Sequence, residues 1–420
     1  MDVVDTGTTA FMLCCIIGLT LMIPGLALFY GGMVSVKSST NMMMMTFGAV
    51  ALVGVLWVLF GFSMAFGTSH GGFVGSFTEF AGMKDLLASQ TTISGLQVSL
   101  FALFQALFAA ITVALVSGAA ADRMKFSAWM VFAGLWAVLV YFPVAHWVFA
   151  FNGVVTPDAV GGWIANNLKA VDFAGGTAVH INAGAAALAV AIVLGKSASW
   201  GTLRKPHNVP LTLLGAGLLW AGWYAFNGGS ALAAGNSAAI VMVTTFVATC
   251  AATLAWLAVE KVKDGHVTGV GAAAGAITGL VAITPACGAV TPVGGIILGL
   301  IAGAICPFAV GLKSRFGYDD SLDVVGVHLV GGVIGTLLIG FLASDGMPSK
   351  VNGLFYGGGF DQLWRQAVAA GAVMTYSFVV AFAIAYAIKK TMGIRVAPED
   401  EESGIDAKLH RDAAYELQSV

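Results

Sequence analysis

Eleven blocks of apolar residues alternate with short polar segments along this chain. Each block is near the ~20 residues that a helix needs to cross a bilayer. Their limits are residues 8–30, 43–66, 96–119, 127–149, 177–195, 211–229, 238–259, 267–285, 291–312, 324–343 and 365–388, the glycine-rich stretch from 267 to 312 being divided in two. The pattern predicts an all-α integral membrane protein with eleven transmembrane helices over residues 1–390. A polar tail from 391 to 420 follows, with Glu399, Asp400, Glu401 and Glu402 in a row, too hydrophilic to insert. A solvated, partly disordered tail and a regulatory docking segment are both compatible with that composition.

The polar segments also give direction. With the first loop placed inside, the inner loops hold ten basic residues: Lys37, Arg123, Lys125, Lys196, Arg204, Lys205, Lys261, Lys263, Lys313 and Arg315. The outer loops hold four: Lys84, Lys169, Lys350 and Arg365. Basic residues favour the cytoplasmic side, so the expectation is an N-terminus outside and a C-terminus in the cytoplasm. The spans also repeat. Phe29-Tyr30-Gly31-Gly32 ends the first and Phe226-Asn227-Gly228-Gly229 the sixth. Val179-His180 lies in the fifth with Gly184 four residues on, and Val327-His328 in the tenth with Gly332 four residues on. Elements recur five spans apart, an odd number, so the two five-helix halves are inverted in the membrane and the last helix stands outside the repeat. Repeats of this kind place a substrate path near the midplane between the halves.

Composition sharpens this picture. The 420 residues are 58% hydrophobic and 10% charged, against about 25% charged in soluble domains. The 55 glycines suit close helix contacts in lipid. A net charge of −2 gives no reason to expect nucleic-acid binding. The N-terminus lacks the basic start of a cleavable signal peptide. Cys14, Cys15, Cys250, Cys287 and Cys306 sit in apolar stretches without metal-ligand spacing and read as small buried hydrophobes. Neither a nucleophile–base pair nor a phosphate loop is evident, so no enzyme activity and no cofactor are expected.

An ionisable residue inside a span is costly and marks function by default. His180 and His328 stand at equivalent positions of the two halves, so their imidazoles are expected to meet near the pseudo-twofold axis. Facing rings share one proton and offer their other edges to a small solute. His146 has no counterpart in the repeat and reads as structural, while His70, His207, His266 and His410 lie in loops, boundaries or the tail. Asp172, ahead of Phe173-Ala-Gly-Gly-Thr177, can cap a helix start or attract a cation at a pore mouth. Asp323 reads as a helix-start or loop-anchoring residue. Phe104 and Phe108 share a helix face with Gln105 between them, and Trp223, Phe226 and Ser230 cluster at the outer end of the sixth span. Aromatic faces with a nearby hydroxyl suit a small cation.

Together these motifs resemble the ammonium transporter family (Amt/Mep/Rh), in its bacterial Amt branch, over residues 8 to 415. The resemblance rests on Asp172-Phe-Ala-Gly-Gly-Thr-Ala-Val-His180-Ile-Asn-Ala-Gly184, Asp319-Asp-Ser-Leu-Asp323-Val-Val-Gly-Val-His328, Trp223-Tyr-Ala-Phe226-Asn-Gly-Gly-Ser230 and Phe104-Gln105-Ala-Leu-Phe108. It implies a homotrimer with one pore per subunit, carrying ammonium and methylammonium across the cytoplasmic membrane. His180 and His328 would be the pore histidines, and Phe108 and Phe226 the gate. Ser230, Phe104, Trp223, Thr284 and Phe149 would form the outer ammonium site, with Asp172 an important aspartate near it. Where the family often has tryptophan, eight residues after the tyrosine of Tyr141-Phe142-Pro143, this chain has Phe149; Trp147 is expected to point elsewhere, and the segment from Phe149 to Asp172 is long for the family. Gly393-Ile-Arg395, Gly404-Ile-Asp406 and Tyr415 resemble the family's regulatory C-terminus, which implies contacts between subunits and a cytoplasmic regulator of the PII type. The expected mechanism recruits ammonium outside, deprotonates it and passes ammonia. The rival readings are an ammonium sensor signalling through the tail with little flux, and a channel for a neutral solute.

Overall fold

The structure, a computed structural model, describes residues 4–86, 92–93, 95–202 and 205–415. Arg204, counted above among the inner basic residues, and the last five residues of the tail lie outside the described residues. Ten helices are long and apolar enough to cross a membrane, and an eleventh, shorter apolar helix accompanies them. In chain order they are α1 Thr6–Met33, α2 Val36–Phe66, α3 Val98–Ala120, α4 Phe126–Phe149, α5 Gly176–Leu194, α6 Val209–Gly229, α7 Asn236–Asp264, α8 Gly269–Ile283, α9 Pro292–Phe316, α10 Val325–Leu342 and α11 Asp361–Thr391. The eleven apolar blocks of the sequence correspond one to one with these helices, and the glycine-rich stretch does divide, at the turn Thr284–Val290.

The two shortest of the ten long helices are α5 and α10, at 19 and 18 residues. They carry the two histidines, and both begin with a turn of π-helix, over Gly176–Ile181 and Val325–Leu329. A π-turn interrupts the regular hydrogen-bond ladder and is frequent at functional sites. Five helices separate the two turns in the chain, so they run in opposite directions, each half contributing one. Their meeting depends on the glycines four residues after each histidine. A Cβ at Gly184 would stand 2.5 Å from the backbone nitrogen of Leu329, and one at Gly332 would stand 3.1 Å from Ile181 Cγ1 and 3.2 Å from Gly176 O. Only hydrogen at these two positions lets each helix receive the other's first turn.

The polar segments gather on two faces. Loops 34–38, 121–125, 195–202, 205–208 and 317–324 share one face with the tail. The opposite face carries residues 67–86 and 95–97, where Ser69–His70 pairs antiparallel with Val74–Gly75, and the long connection 150–175. The tail is docked rather than free. Lys125 donates its backbone N–H to Ile394 O at 3.1 Å, and Val396 donates back to Arg123 O at 3.0 Å. The Asp406 carboxylate accepts from the backbone N–H groups of Thr40 (2.9 Å) and Asn41 (2.7 Å) at the start of α2. The buried side chains of Ile394, Val396 and Ile405 lie along the same path.

The glycine contact gives a first testable expectation. Gly184→Ala should destabilise the bundle by about 1–3 kcal/mol through overpacking. Gly217→Ala, in α6 with nothing within 4 Å of the added carbon, should stabilise it by about 0.5–1 kcal/mol. Thermal unfolding in detergent, followed by tryptophan fluorescence, checks both, and a shift of the same sign in the two variants would contradict the close-approach account.

Candidate functional site: two cavities divided by a phenylalanine pair

Each histidine turn begins where backbone N–H groups have no helical acceptor, and each is met by an aspartate eight residues before its histidine. At α5 the Asp172 carboxylate accepts from the N–H groups of Gly175 (2.7 Å), Gly176 (2.6 Å), Thr177 (2.8 Å) and Ala178 (3.2 Å), and from the Thr177 hydroxyl. Four orphaned donors and a hydroxyl converge on one side chain, a fuller cap than the usual one or two bonds. At α10 the corresponding residue is Asp320, whose Oδ2 accepts from the Val325 N–H at 2.7 Å. The sequence left Asp323 as either a helix-start or a loop-anchoring residue. The structure gives the capping role to Asp320, while Asp323 adopts a left-handed backbone (φ 62°) and pairs with Lys313 Nζ at 2.5 Å, anchoring the loop. The common spacing of eight residues to the histidine was the available signal.

Between these caps the imidazoles face each other, with Nδ1 to Nδ1 at 3.2 Å. Two ring nitrogens at that distance share a single proton, one donating and the other accepting, so the two Nε2 edges differ: one is an acceptor and the other carries hydrogen. Both rings are buried, and His180 Nε2 has no hydrogen-bond partner among the described residues. They border a closed, apolar chamber with Phe29, Tyr30, Leu115, Trp223, Phe226 and Ile277 in its wall. The volume open to the centre of a water-sized sphere is about 10 Å³, close to the least that holds one water.

Phe226 closes the chamber and stacks on Phe108, with ring centroids 3.9 Å apart and planes at 14°. Beyond Phe108 lies a second cavity of about 370 Å³, the vestibule, on the face opposite the tail. Phe104, Gln105, Phe149, Asp172 and Ser230 line it. Phe149 meets Phe108 edge-on at 6.2 Å. Ser230 Oγ donates to Phe226 O at 2.8 Å, so toward the vestibule its hydroxyl offers lone pairs. Gln105 is buried, and its Oε1 is without a hydrogen-bond partner among the described residues. Phe104, Gln105, Phe108, Phe149, Asp172 and Ser230 are therefore brought together as the sequence suggested, around a cavity rich in aromatic faces and acceptors.

Trp223 and Thr284 are placed differently from the sequence expectation. Trp223 precedes Phe226 by three residues on α6, most of a turn farther from the vestibule. It stacks on His180, with centroids 5.5 Å apart, and belongs to the chamber wall. Its Nε1 donates to Thr284 Oγ1 at 2.8 Å, and that hydroxyl donates to Leu280 O at 2.7 Å. Thr284 thus holds the indole from behind. Trp147 points away from the vestibule, as expected, donating Nε1 to Phe73 O at 2.7 Å and packing on Trp163. His146 is likewise in a structural place, bonded to Ala65 O (2.9 Å) and Ser69 Oγ (2.8 Å). Phe29 and Tyr30 were not singled out as site residues. Phe29 stands in the repeat where Phe226 does, and that equivalence was the signal for it.

On the tail face a wide basin of about 1240 Å³ is bordered by Lys37, His207, Lys313, Asp323 and Glu401. Asp320 lies just beneath the α10 start, outside the spans and 1% exposed. Burial, with Asp323 nearby, pushes its carboxyl up to about 7, against the pull of Lys313 and of the Val325 N–H. A carboxyl raised in the folded state contributes stability that is full below its unfolded value near 4 and is lost as pH rises through about 7.

Comparison with known proteins agrees with the geometry. The model of the Ammonium Transporter Family matches residues 10–415. An ammonium transporter of Mycobacterium tuberculosis is 52% identical over 439 residues, covering 99% of this chain and 92% of that protein. The crystal structure of Mep2 from Saccharomyces cerevisiae superposes with a TM-score of 0.85 at 31% identity, covering 94% of this chain and 88% of that one. A protein described as a sensor Amt protein superposes with a TM-score of 0.87 at 28% identity, covering 95% and 97%. The chain belongs to the ammonium transporter family.

The raised carboxyl supplies the prediction here. Asp320→Asn keeps an oxygen for the Val325 N–H but removes the proton equilibrium. Relative to this variant, the unsubstituted protein should lose stability as pH rises from 5 to 8, by up to about 3 kcal/mol. Paired melting curves in detergent across that range check it; a constant difference would mean that Asp320 does not hold its proton.

Proposed function

We propose that this member of the ammonium transporter family moves ammonium across a cytoplasmic membrane by capturing the cation in the vestibule and passing ammonia through the chamber. The excess of basic residues in the loops that share the tail's face supports placing that face in the cytoplasm and the vestibule outside. Ammonium has four N–H donors and one positive charge. The vestibule offers aromatic faces at Phe104, Phe108 and Phe149, the lone pairs of Ser230 and the Asp172 carboxylate. Phenylalanine attracts a cation less strongly than tryptophan and has no N–H, so Phe149 makes the capture weaker than a tryptophan would.

The observation that carries the reading is the facing pair of imidazoles in a nearly closed apolar chamber behind the Phe108–Phe226 stack. An ion of this size entering a dry medium faces an idealised cost of order 20 kcal/mol; neutral ammonia faces a polar molecule's penalty of a few kcal/mol. Near the phenylalanine pair ammonium yields its proton to the water of the vestibule and ammonia goes through; a current reports that proton crossing by a route of its own, and alkalinisation of the lumen its staying outside. Potassium and sodium have no proton to lose and are refused, while methylammonium follows the ammonium route. Past the gate, the accepting and donating Nε2 edges of His180 and His328 give ammonia hydrogen-bond partners without charge. The proposal includes three subunits in a homotrimer, each with its own pore, and residues 391–420 as a regulatory tail read by a cytoplasmic PII-type protein.

A second reading has specific support: the likeness to the sensor Amt protein and the docking of the tail against α2. In it the chain binds ammonium and signals through the tail while conducting little.

Purified protein in liposomes separates the two. An ammonium jump on a solid-supported membrane should give a saturable current, or alkalinise the lumen if net ammonia passes, with no response to potassium or sodium. Silence in both channels would favour the sensor. Replacing His180 and His328 together by leucine should abolish the ammonium response while the protein remains folded; saturable methylammonium uptake surviving unchanged would remove the histidines from the mechanism.

A further inference from the structure

Lys169 is a cationic side chain in the wall of a cavity that the reading above fills with a cation. It follows the π-turn Ile164–Leu168 and takes a left-handed backbone, φ 58° and ψ 37°. Such a conformation is unfavourable for a residue with a Cβ by about 1–2 kcal/mol, and glycine or asparagine would occupy it more easily. The surroundings hold it there. Arg365 Nη1 donates to Leu168 O at 2.7 Å, and Gln366 both accepts from the Val171 N–H and donates to Val171 O, each at 2.7 Å. Helix α11 thus grips the chain on both sides of the lysine and fixes its place in the wall. Among the described residues, no carboxylate lies within 4 Å of its ammonium.

The other charge in the described lining is Asp172. Its carboxylate is immobilised by the hydrogen bonds that cap α5, so its negative charge is a fixed feature of the mouth. With Lys169 present the charges of the lining cancel; without it the lining is net negative. The remaining lining is neutral, and its aromatic faces attract any cation.

We propose that Lys169 sets the cation affinity of the vestibule by offsetting the field of Asp172, so that the mouth captures ammonium weakly. This rests on the transport reading. Lys169 acts as a positioning charge: it touches neither the phenylalanine pair nor the histidines, so it changes occupancy of the mouth and leaves the later steps alone. One unit charge at ~10 Å changes cation occupancy roughly two- to tenfold at an effective dielectric between protein and water. The effect fades once the Debye length, about 30 Å at 0.01 M salt, shrinks to about 3 Å at 1 M.

The experiment compares the unsubstituted protein with Lys169→Arg, Lys169→Gln and Lys169→Glu in liposomes. Initial rates are read by current or lumen pH, whichever responds, against ammonium concentration at ~0.01 M and ~1 M sodium gluconate. At low salt the half-saturating concentration should fall roughly two- to tenfold in Lys169→Gln and further in Lys169→Glu. It should stay unchanged in Lys169→Arg, with maximal rates equal throughout. At high salt the four proteins should converge. Unchanged half-saturation in both Lys169→Gln and Lys169→Glu at low salt overturns the proposal, as does Lys169→Arg behaving like Lys169→Gln, which would make side-chain shape the cause. A silent unsubstituted protein overturns the transport reading and this proposal with it, an outcome distinct from a transporting protein indifferent to residue 169.

Discussion

Two helices that begin inside the bundle's polar margins must find acceptors for backbone N–H groups that no preceding turn can satisfy. In a lipid-embedded fold this is severe, because an unsatisfied donor costs several kcal/mol. Asp172 and Asp320 answer it at the two histidine turns, each placed eight residues before its imidazole. The caps fix where α5 and α10 start, and the starts fix how deep the histidines lie. Gly184 and Gly332 then let each helix accept the other's first turn. The 3.2 Å contact between the imidazoles is the result of all four residues. A change at any of them moves the rings apart before it touches their chemistry.

The cavities follow from this crossing. Where the π-turns meet, the rings of His180, Trp223 and Phe226 stand in succession, and the residual space is about that of one water. Polar side chains are excluded from the chamber wall except where they are tied off: Tyr30 donates its hydroxyl to Leu115 O at 3.0 Å, and the Trp223 indole is held by Thr284. The histidine pair is the exception, with edges left for a passing solute. The vestibule is built by another rule, from the outer ends of α3 and α4 together with the long connection 150–175. Its acceptors at Ser230 and Gln105 face a cavity some hundreds of Å³ in size, and its charges sit on segments pinned by Arg365 and Gln366.

Much of this was legible in the sequence because hydropathy, the repeat and the histidines are properties of single positions. Apolar blocks of span length located the eleven helices to within a few residues, and the recurrence of Val-His with glycine four residues later located the crossing. The inward place of Trp223 was not legible. Its spacing from Phe226 puts it deeper, but the cavity boundary between them is a fact of how Phe108 from another helix stacks on Phe226. Asp323 was left between a helix-start and a loop-anchoring role because three aspartates crowd residues 319–323, and only the register with Asp172 singles out Asp320 as the cap. Composition left the tail between a solvated and a docked segment, because the groups that receive it, the N–H groups of Thr40 and Asn41 and the backbone of residues 123–125, lie hundreds of residues away in the chain.

The two caps also show how a symmetric scaffold acquires direction. The fold requires an acceptor side chain at both places, since both turns present free donors. The neighbourhoods then make them different objects. Asp172 accepts five hydrogen bonds and lines an open cavity, so its charge is held in place and felt by whatever enters. Asp320 accepts one strong bond from Val325, is 1% exposed, and has Asp323 beside it, so its proton is retained to about pH 7. A carboxylate offset by Lys169 therefore stands at the vestibule end of the path, while at the tail end Lys313 pairs with Asp323. In the proposed mechanism the substrate is a cation on one side of the phenylalanine pair and a neutral molecule beyond it, and that asymmetry suits it. The carboxylate a cation would meet first stands in the vestibule, and the equivalent group at the far end, holding its proton, would not draw the cation back.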